Sequence, residues 1–208
     1  MIIHIAGPSG SGKTTLGNKI NKNNKCIIVD TDDIDDHNFN RLLKSNIEFR
    51  KSIMGTTNRK WSTILDNKNL EKLNKIIQIA KKQNKVLIIT GISFAFSKAD
   101  PSKIADKKYF INIDNETLFR RVNLRMLDDI IKNKSKIKNL FKNEKTNMLN
   151  IITHKLSHQF NLRGPFIESY YMIVEDNNKK QKEYKQNNYK ILTPEQIYKS
   201  VMKLISME

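Results

Sequence analysis

Cysteine is almost missing from this chain of 208 residues, with Cys26 standing alone. An internal disulfide is excluded, and the place of Cys26 in an apolar run predicts a buried structural thiol rather than a reactive one. Long apolar stretches are missing too. The runs Ile2 to Ala6, Cys26 to Val29, Val86 to Thr90 and Tyr109 to Ile113 fall far short of the roughly 18 residues of a membrane span. Met1 leads into the first run without a basic region or signal-peptide core, so a soluble, cytoplasmic protein with no membrane partner is expected. Arginine is scarce, occurring only at Arg41, Arg50, Arg59, Arg120, Arg121, Arg125 and Arg163, although Lys+Arg reach 38 against 21 Asp+Glu for a net charge of +17. The excess is lysine mixed with asparagine and isoleucine, as AT-rich codon usage produces. Few of these cations have the planar fork that grips phosphate. A dedicated nucleic-acid surface is therefore not favoured, while nucleic acid stays open as a partner.

What is present suffices for a globular core, because the apolar runs bury enough surface to offset chain entropy. They are short, β-branched and unalternating, the pattern of parallel strands covered on both faces. Helical spacing separates them: Lys13 to Lys22 after the first, Leu70, Leu73, Ile76, Ile77 and Ile79 before the third, and Leu118, Val122, Leu124, Leu127, Ile130 and Ile131 after the fourth. Strand and helix alternate as in a doubly wound α/β domain. A last strand, Tyr189 to Leu192, precedes a helix to about Ile205, with Thr193 and Gln196 spaced as a capping box around Pro194. Between them the chain is polar and lysine-rich, with helices expected from Asn147 to Phe160 and from Pro165 to about Glu183. One domain over 1–208, with a helical lid or insert at about 126–188, is the expected organisation.

Gly7-Pro8-Ser9-Gly10-Ser11-Gly12-Lys13-Thr14 satisfies G-x-x-x-x-G-K-[ST] between a strand and a helix, and Thr15 follows in the first turn. The glycines let successive backbone N–H groups face phosphate, Lys13 reaches the β- and γ-phosphates, and the Thr14 hydroxyl suits Mg2+. ATP and Mg2+ are the expected cofactors. With this motif the chain resembles the P-loop kinases, which include nucleoside monophosphate, shikimate and gluconate kinases and polynucleotide 5'-kinases. The resemblance covers about Met1 to Leu127 and Tyr189 to Ile205, and implies an α/β P-loop NTPase with a parallel sheet of about five strands flanked by helices. Asn67-Lys68-Asn69-Leu70 lacks the Asp of a guanine-reading N-K-x-D, and the third strand lacks the terminal Asp-Glu pair of motor ATPases.

Asp30, Asp32, Asp33, Asp35 and Asp36 crowd the end of the second strand, where open α/β sheets bind ligands. Such charges call for a cation, and an acceptor hydroxyl needs a carboxylate to take its proton, for which Asp32 is the candidate. Asp30-Thr31-Asp32 looks like the D-x-D of shikimate kinases, implying Asp30 in the metal shell and Asp32 on the accepting hydroxyl. Thr31-Asp32-Asp33 also looks like the R-D-D region of polynucleotide kinases, but Asp35 replaces the arginine expected three residues beyond the base. For Asp33, Asp35 and Asp36 an acidic helix N-terminus is the plainer account.

After the fourth strand, read as ending at Asp114, Asn115 is positioned to cap a helix carrying Arg121 and Arg125 on one face. The pair resembles the R-x-x-x-R of nucleotide kinases, implying one contact to the nucleotide base and one to the transferring phosphate; an ordinary helix surface also accommodates it. Thr90-Gly91 resembles the glycine-bearing substrate edge of shikimate kinases, with Gly91 as a substrate contact and Ile92-Ser93-Phe94 replacing the further glycines. Arg50 is the candidate acceptor contact between the second strand and the Leu70 helix. His154 and His158, spaced i, i+4, lack a third zinc ligand, and Arg163 falls in a loop. The expected activity is transfer of the γ-phosphoryl group of MgATP to a small acceptor: a nucleoside, nucleotide or other metabolite. A polynucleotide 5'-kinase and a nucleotide-dependent nucleic-acid-binding NTPase module are the alternatives.

Overall fold

Ile-Ile-His-Ile-Ala, Cys-Ile-Ile-Val-Asp and Val-Leu-Ile-Ile-Thr each form a strand of five residues, as stiff β-branched side chains favour. The computed structural model describes residues 1–22, 24–54, 60–95, 97–132 and 166–207. In chain order its elements are β1 (Ile2–Ala6), α1 (Lys13–Ile20), β2 (Cys26–Asp30), α2 (Thr31–Ser45), α3 (Ile47–Met54), α4 (Lys60–Lys82), β3 (Val86–Thr90), β4 (Lys107–Ile111), α5 (Asn115–Lys132), α6 (Phe166–Gln186), β5 (Lys190–Leu192) and α7 (Pro194–Met207). The strands make one parallel sheet in the order β2-β3-β1-β4-β5.

Parallel strands need crossovers, and the helices that supply them cover both faces of the sheet. Leu16 and Ile20 of α1 and Ile197, Val201 and Ile205 of α7 pack with Ile3, Ile5, Ile88 and Ile111. Ile34 of α2 and Leu73 and Ala80 of α4 pack with Leu87, Ile89 and Phe94. Successive strand residues point to opposite faces, which sorts Ile88 to one cluster and Leu87 and Ile89 to the other. Cys26 is buried in the first cluster, its sulfur 3.7 Å from the Ile20 carbonyl, and burial raises its pKa.

The chain folds as two compact units. The first comprises Met1–Pro8, Gly12–Asn112 and Tyr184–Glu208 and holds the sheet; the second comprises Ser9–Ser11 and Ile113–Glu183. In the second, Leu118 and Val122 of α5 pack with Ile113, and Asn177 donates to Asn115 at 2.7 Å. The expected helix from Asn147 to Phe160, together with Arg59, His154, His158 and Arg163, lies outside the described residues. Among the described residues no helix is long and apolar enough to cross a membrane.

Several boundaries differ from the sequence reading. β4 runs Lys107–Ile111 rather than Tyr109 to Asp114, because its backbone pairs from Lys107 against Ile3 of β1 regardless of the lysines' polarity. Ile113, read as sheet, is instead buried against Leu118 and Val122. Asp114, not Asn115, caps α5: its Oδ1 accepts from the Thr117 amide at 2.7 Å, and Asn115 is already helical. α1 stops at Ile20, two residues before Lys22, where the Asn21 amide caps back to Gly17. The capping box at α7 forms as read, with Thr193 N donating to Gln196 Oε1 at 3.0 Å and Gln196 N donating to Thr193 Oγ1 at 3.3 Å.

One core residue of the central strand is polar. His4 is 2% exposed, with Nε2 3.0 Å from the Gly91 carbonyl and Nδ1 2.5 Å from the Tyr189 hydroxyl. A carbonyl only accepts, so Nε2 carries the proton and Nδ1 accepts from Tyr189. Burial, aided by the charge of Lys108 and opposed by the Gly91 hydrogen bond and Asp100, lowers the pKa to about 4 from 6.5. The unfolded chain thus binds the extra proton first as pH falls, so this contribution to stability is complete above 6.5 and is lost on descending toward 4. Between pH 7 and 5 the wild type should lose roughly 2 kcal/mol through His4. Urea unfolding at both pH values should show that drop in wild type and a clearly smaller one in His4→Gln; equal drops would contradict the assignment.

Candidate active site at the carboxyl ends of the strands

The turn after β1 is built from residues that tolerate left-handed backbone: Gly10 and Gly12 have φ of 82° and 93°. A side chain at Gly10 would place its Cβ 3.1 Å from Val122 Cγ2, so the close approach there also depends on glycine. Gly12 is the N-cap of α1, a helix start with no side-chain cap and no acidic residue in its first turn. The backbone donors and the positive end of the dipole are therefore available to an anion. Lys13, 8% exposed, donates to the carbonyls of Gly7 at 2.9 Å and Pro8 at 3.1 Å. Ser11 is fully buried and its Oγ has no hydrogen-bond partner, an arrangement costly in a loop that binds nothing. Gly7 and Pro8 are buried, whereas Ser9, Thr14 and Thr15 are exposed. These features fit a bound phosphate group.

β2 runs into α2 without a loop. Asp30 is the N-cap, its Oδ1 accepting from the Asp32 amide at 3.0 Å, and Thr31 is the first helical residue. Burial, then the charges of Asp32 and Asp33, push the Asp30 pKa up against the Asp32 and Thr90 hydrogen bonds. A cation beside it would relieve that tension, so Asp30 is a carboxylate that could hold a divalent ion. Among the described residues no group of three or more His, Cys, Asp and Glu is placed to hold a metal alone. Asp35 accepts from Asn69 Nδ2 at 2.6 Å, and burial raises its pKa as well. Asn69 in turn accepts from the buried Asn38 at 2.9 Å, tying α2 to α4.

Gly91, immediately after β3, has φ 106° and lies against this cluster. An added Cβ would stand 2.1 Å from Thr31 Oγ1, 2.8 Å from Asp30 Oδ1 and 3.0 Å from Asp32 Oδ1. Ser93 donates from Oγ to Asp32 Oδ1 at 2.5 Å, and Thr31 Oγ1 lies 3.4 Å from the same oxygen. Asp30, Asp32 and Gly91 are thus brought together. Because β3 separates β2 from β1, the Asp30 end and the Gly7 end of the sheet are two strand spacings apart, about 10 Å.

Arg50 is placed differently. Its Nη1 donates to the carbonyls of Leu43 at 3.1 Å and Lys44 at 3.2 Å, closing the C-terminal end of α2. Arg121 and Arg125 are exposed on α5, one residue before and three residues after Val122. Ser93 and His4 escaped the sequence reading as partners of this cluster. A histidine inside an apolar strand was the available signal for His4, since a buried imidazole needs partners; nothing local announces Ser93.

Residues 3–139 match the AAA domain family, and the chain belongs to it. In structure it is similar to a shikimate kinase from Bacteroides thetaiotaomicron, with 17% identity and a TM-score of 0.52 over 99% of this chain and 98% of that one. It is also similar to TT1252 from Thermus thermophilus, with 14% identity and a TM-score of 0.43 over 79% of this chain and 98% of that one. No curated protein matches the chain in sequence. The fold is that of an α/β P-loop NTPase, and family and fold agree with the P-loop kinase resemblance.

Gly91→Ala combines a left-handed φ with a clash against Thr31 and should destabilise by at least about 2 kcal/mol. Gly17→Ala, whose Cβ would meet nothing nearer than Ile28 at 3.4 Å, should cost less than about 1 kcal/mol. Urea midpoints of the two variants measure the contrast, and equal losses would count against the packing described.

Proposed function

We propose that this protein is an ATP-dependent phosphotransferase that moves the γ-phosphoryl group of MgATP to a small acceptor, a nucleoside, nucleotide or other metabolite. The carrying observation is an uncapped, glycine-built phosphate loop after β1 at the same end of the sheet as the carboxylate cluster after β2. Gly7 to Thr15 provide the backbone donors, with Lys13 as the cation for the β- and γ-phosphates. Thr14 and Asp30 would hold Mg2+, which when bound neutralises phosphate charge.

A hydroxyl is the nucleophile that suits this chemistry. Asp32 receives its proton as the acceptor oxygen bonds to the γ-phosphorus, and the bond to the β–γ bridging oxygen breaks to release ADP. Ser93 and Thr31 lie on Asp32 Oδ1, which directs the proton to Oδ2. Gly91, the expected substrate contact, has its side-chain direction filled by Thr31, Asp30 and Asp32, so its part in the site is to let those groups pack against the backbone beside Asp32. By the resemblance to nucleotide kinases, Arg121 is assigned to the nucleotide base and Arg125 to the charge on the transferring phosphoryl group. Arg50 gives its Nη1 to the end of α2, which leaves its other donors for an acceptor. A polynucleotide 5'-kinase is the second reading, favoured by the net charge of +17 and the Asp32-Asp33 pair. Against it, Asp35 stands where the arginine of that pattern belongs and is held by Asn69.

Lys13→Ala should abolish transfer with the fold retained. Asp32→Asn should bind ATP normally and lower the single-turnover rate by about 10²- to 10⁴-fold. Should Arg125→Ala cost on the order of 10³-fold while Asp32→Asn costs almost nothing, the nucleophile is a phosphate and the base assignment fails.

A further inference from the structure

His4 lies in the middle of the central strand, yet its imidazole reaches the chemistry-bearing end of the neighbouring one. Nε2 holds the carbonyl of Gly91 at 3.0 Å, and Nδ1 is held by the hydroxyl of Tyr189, 2.5 Å away, the residue just before β5. Tyr189 is itself 4% exposed, and its ring meets the imidazole edge-on with centroids 5.5 Å apart. The hydroxyl fixes the tautomer, because a donor at Nδ1 leaves Nε2 as the protonated nitrogen that the carbonyl requires. Ring packing and two hydrogen bonds leave the imidazole little freedom to turn.

Gly91 is the residue on which this rigidity acts. Its amide bonds to the Ile5 carbonyl at 3.3 Å, its carbonyl bonds to His4, and the space where a side chain would stand is filled by Thr31, Asp30 and Asp32. Rotation of either peptide flanking Gly91 would move the backbone toward carboxylates with no slack to receive it, and would carry Ser93 away from Asp32. We infer that His4, oriented by Tyr189, is a positioning residue that fixes Gly91 and, through Gly91 and Ser93, the geometry of Asp32. This rests on the phosphotransferase reading for its catalytic consequence, but not for its structural one. Positioning at the level of a few tenths of an ångström is what catalytic groups demand of their supports.

Three variants separate positioning from simple core support. Gln at position 4 can present its amide nitrogen where Nε2 stands and retain the donor to Gly91, whereas Phe fills the volume without it. Tyr189→Phe keeps the ring and removes only the hydroxyl. Amide hydrogen exchange of Gly91 and Ser93 in the substrate-free protein should accelerate at least about 10-fold in His4→Phe, about 3-fold or more in Tyr189→Phe, and least in His4→Gln. With an acceptor in hand, kcat should fall at least about 10-fold in His4→Phe and recover to within about 3-fold of wild type in His4→Gln, the KM for ATP being unchanged in both. Wild-type exchange in both His4→Phe and Tyr189→Phe, or a loss of thermal stability with kcat per folded molecule unchanged, would overturn the inference. If His4→Phe does not fold, exchange in Tyr189→Phe decides by the same criterion. Absence of acceptor-dependent turnover in wild type would sink the phosphotransferase reading alone, since the exchange result stands without it.

Discussion

Where a Cβ of residue 91 would stand, Thr31, Asp30 and Asp32 already are, with the nearest oxygen at 2.1 Å. This close packing of a bare backbone against the β2–α2 junction governs the site. It requires glycine and a left-handed φ, it requires β2 to enter α2 without a loop, and it requires Asp30 to turn its carboxylate onto the Asp32 amide as a cap. Parallel pairing of β2 with β3, in register from Cys26↔Val86 to Asp30↔Thr90, delivers both partners to the same level. Neither half has the geometry alone: the carboxylates come from one strand end and the surface that holds them from the next.

Charge is distributed against the average of the chain. A protein of net charge +17 gathers Asp30, Asp32, Asp33, Asp35 and Asp36 over less than two helical turns, and Asp30 and Asp35 carry raised pKa values because burial disfavours their ionised forms. Surface lysines screened by salt do little to offset that local cost. Helix polarity absorbs part of it, since Asp32 and Asp33 lie in the first turn of α2. The remainder is a cost that the Mg2+ proposed beside Asp30 would offset.

Much of this was legible because its physics is local. The glycine-lysine loop, the unalternating apolar strands and the Thr193/Gln196 box each declare themselves within a few residues, and all three take the form read from them. Asp30, Asp32 and Gly91 were legible only by type and place, since their meeting depends on strand order. The end of β4 was misplaced because register with β1, a nonlocal property, set it, and the apolar Ile113 serves another cluster. Arg50 shows a different limit: a guanidinium in the acceptor segment is read as an anion contact, yet two carbonyls at the end of α2 hold it. His4 and Ser93 act on residues 87 and 61 positions away, beyond any pattern a sequence window carries.

The central claim is that a bound γ-phosphoryl group leaves ATP for an acceptor. ADP release measured with MgATP across nucleosides, nucleotides, small hydroxylated metabolites and 5'-hydroxyl oligonucleotides tests it most directly. The account predicts strong stimulation of ADP release by at least one small acceptor, with label from the γ-position of ATP recovered on that molecule. ADP release that no acceptor stimulates, with all the label in inorganic phosphate, would contradict it and leave a nucleotide-dependent binding module in its place.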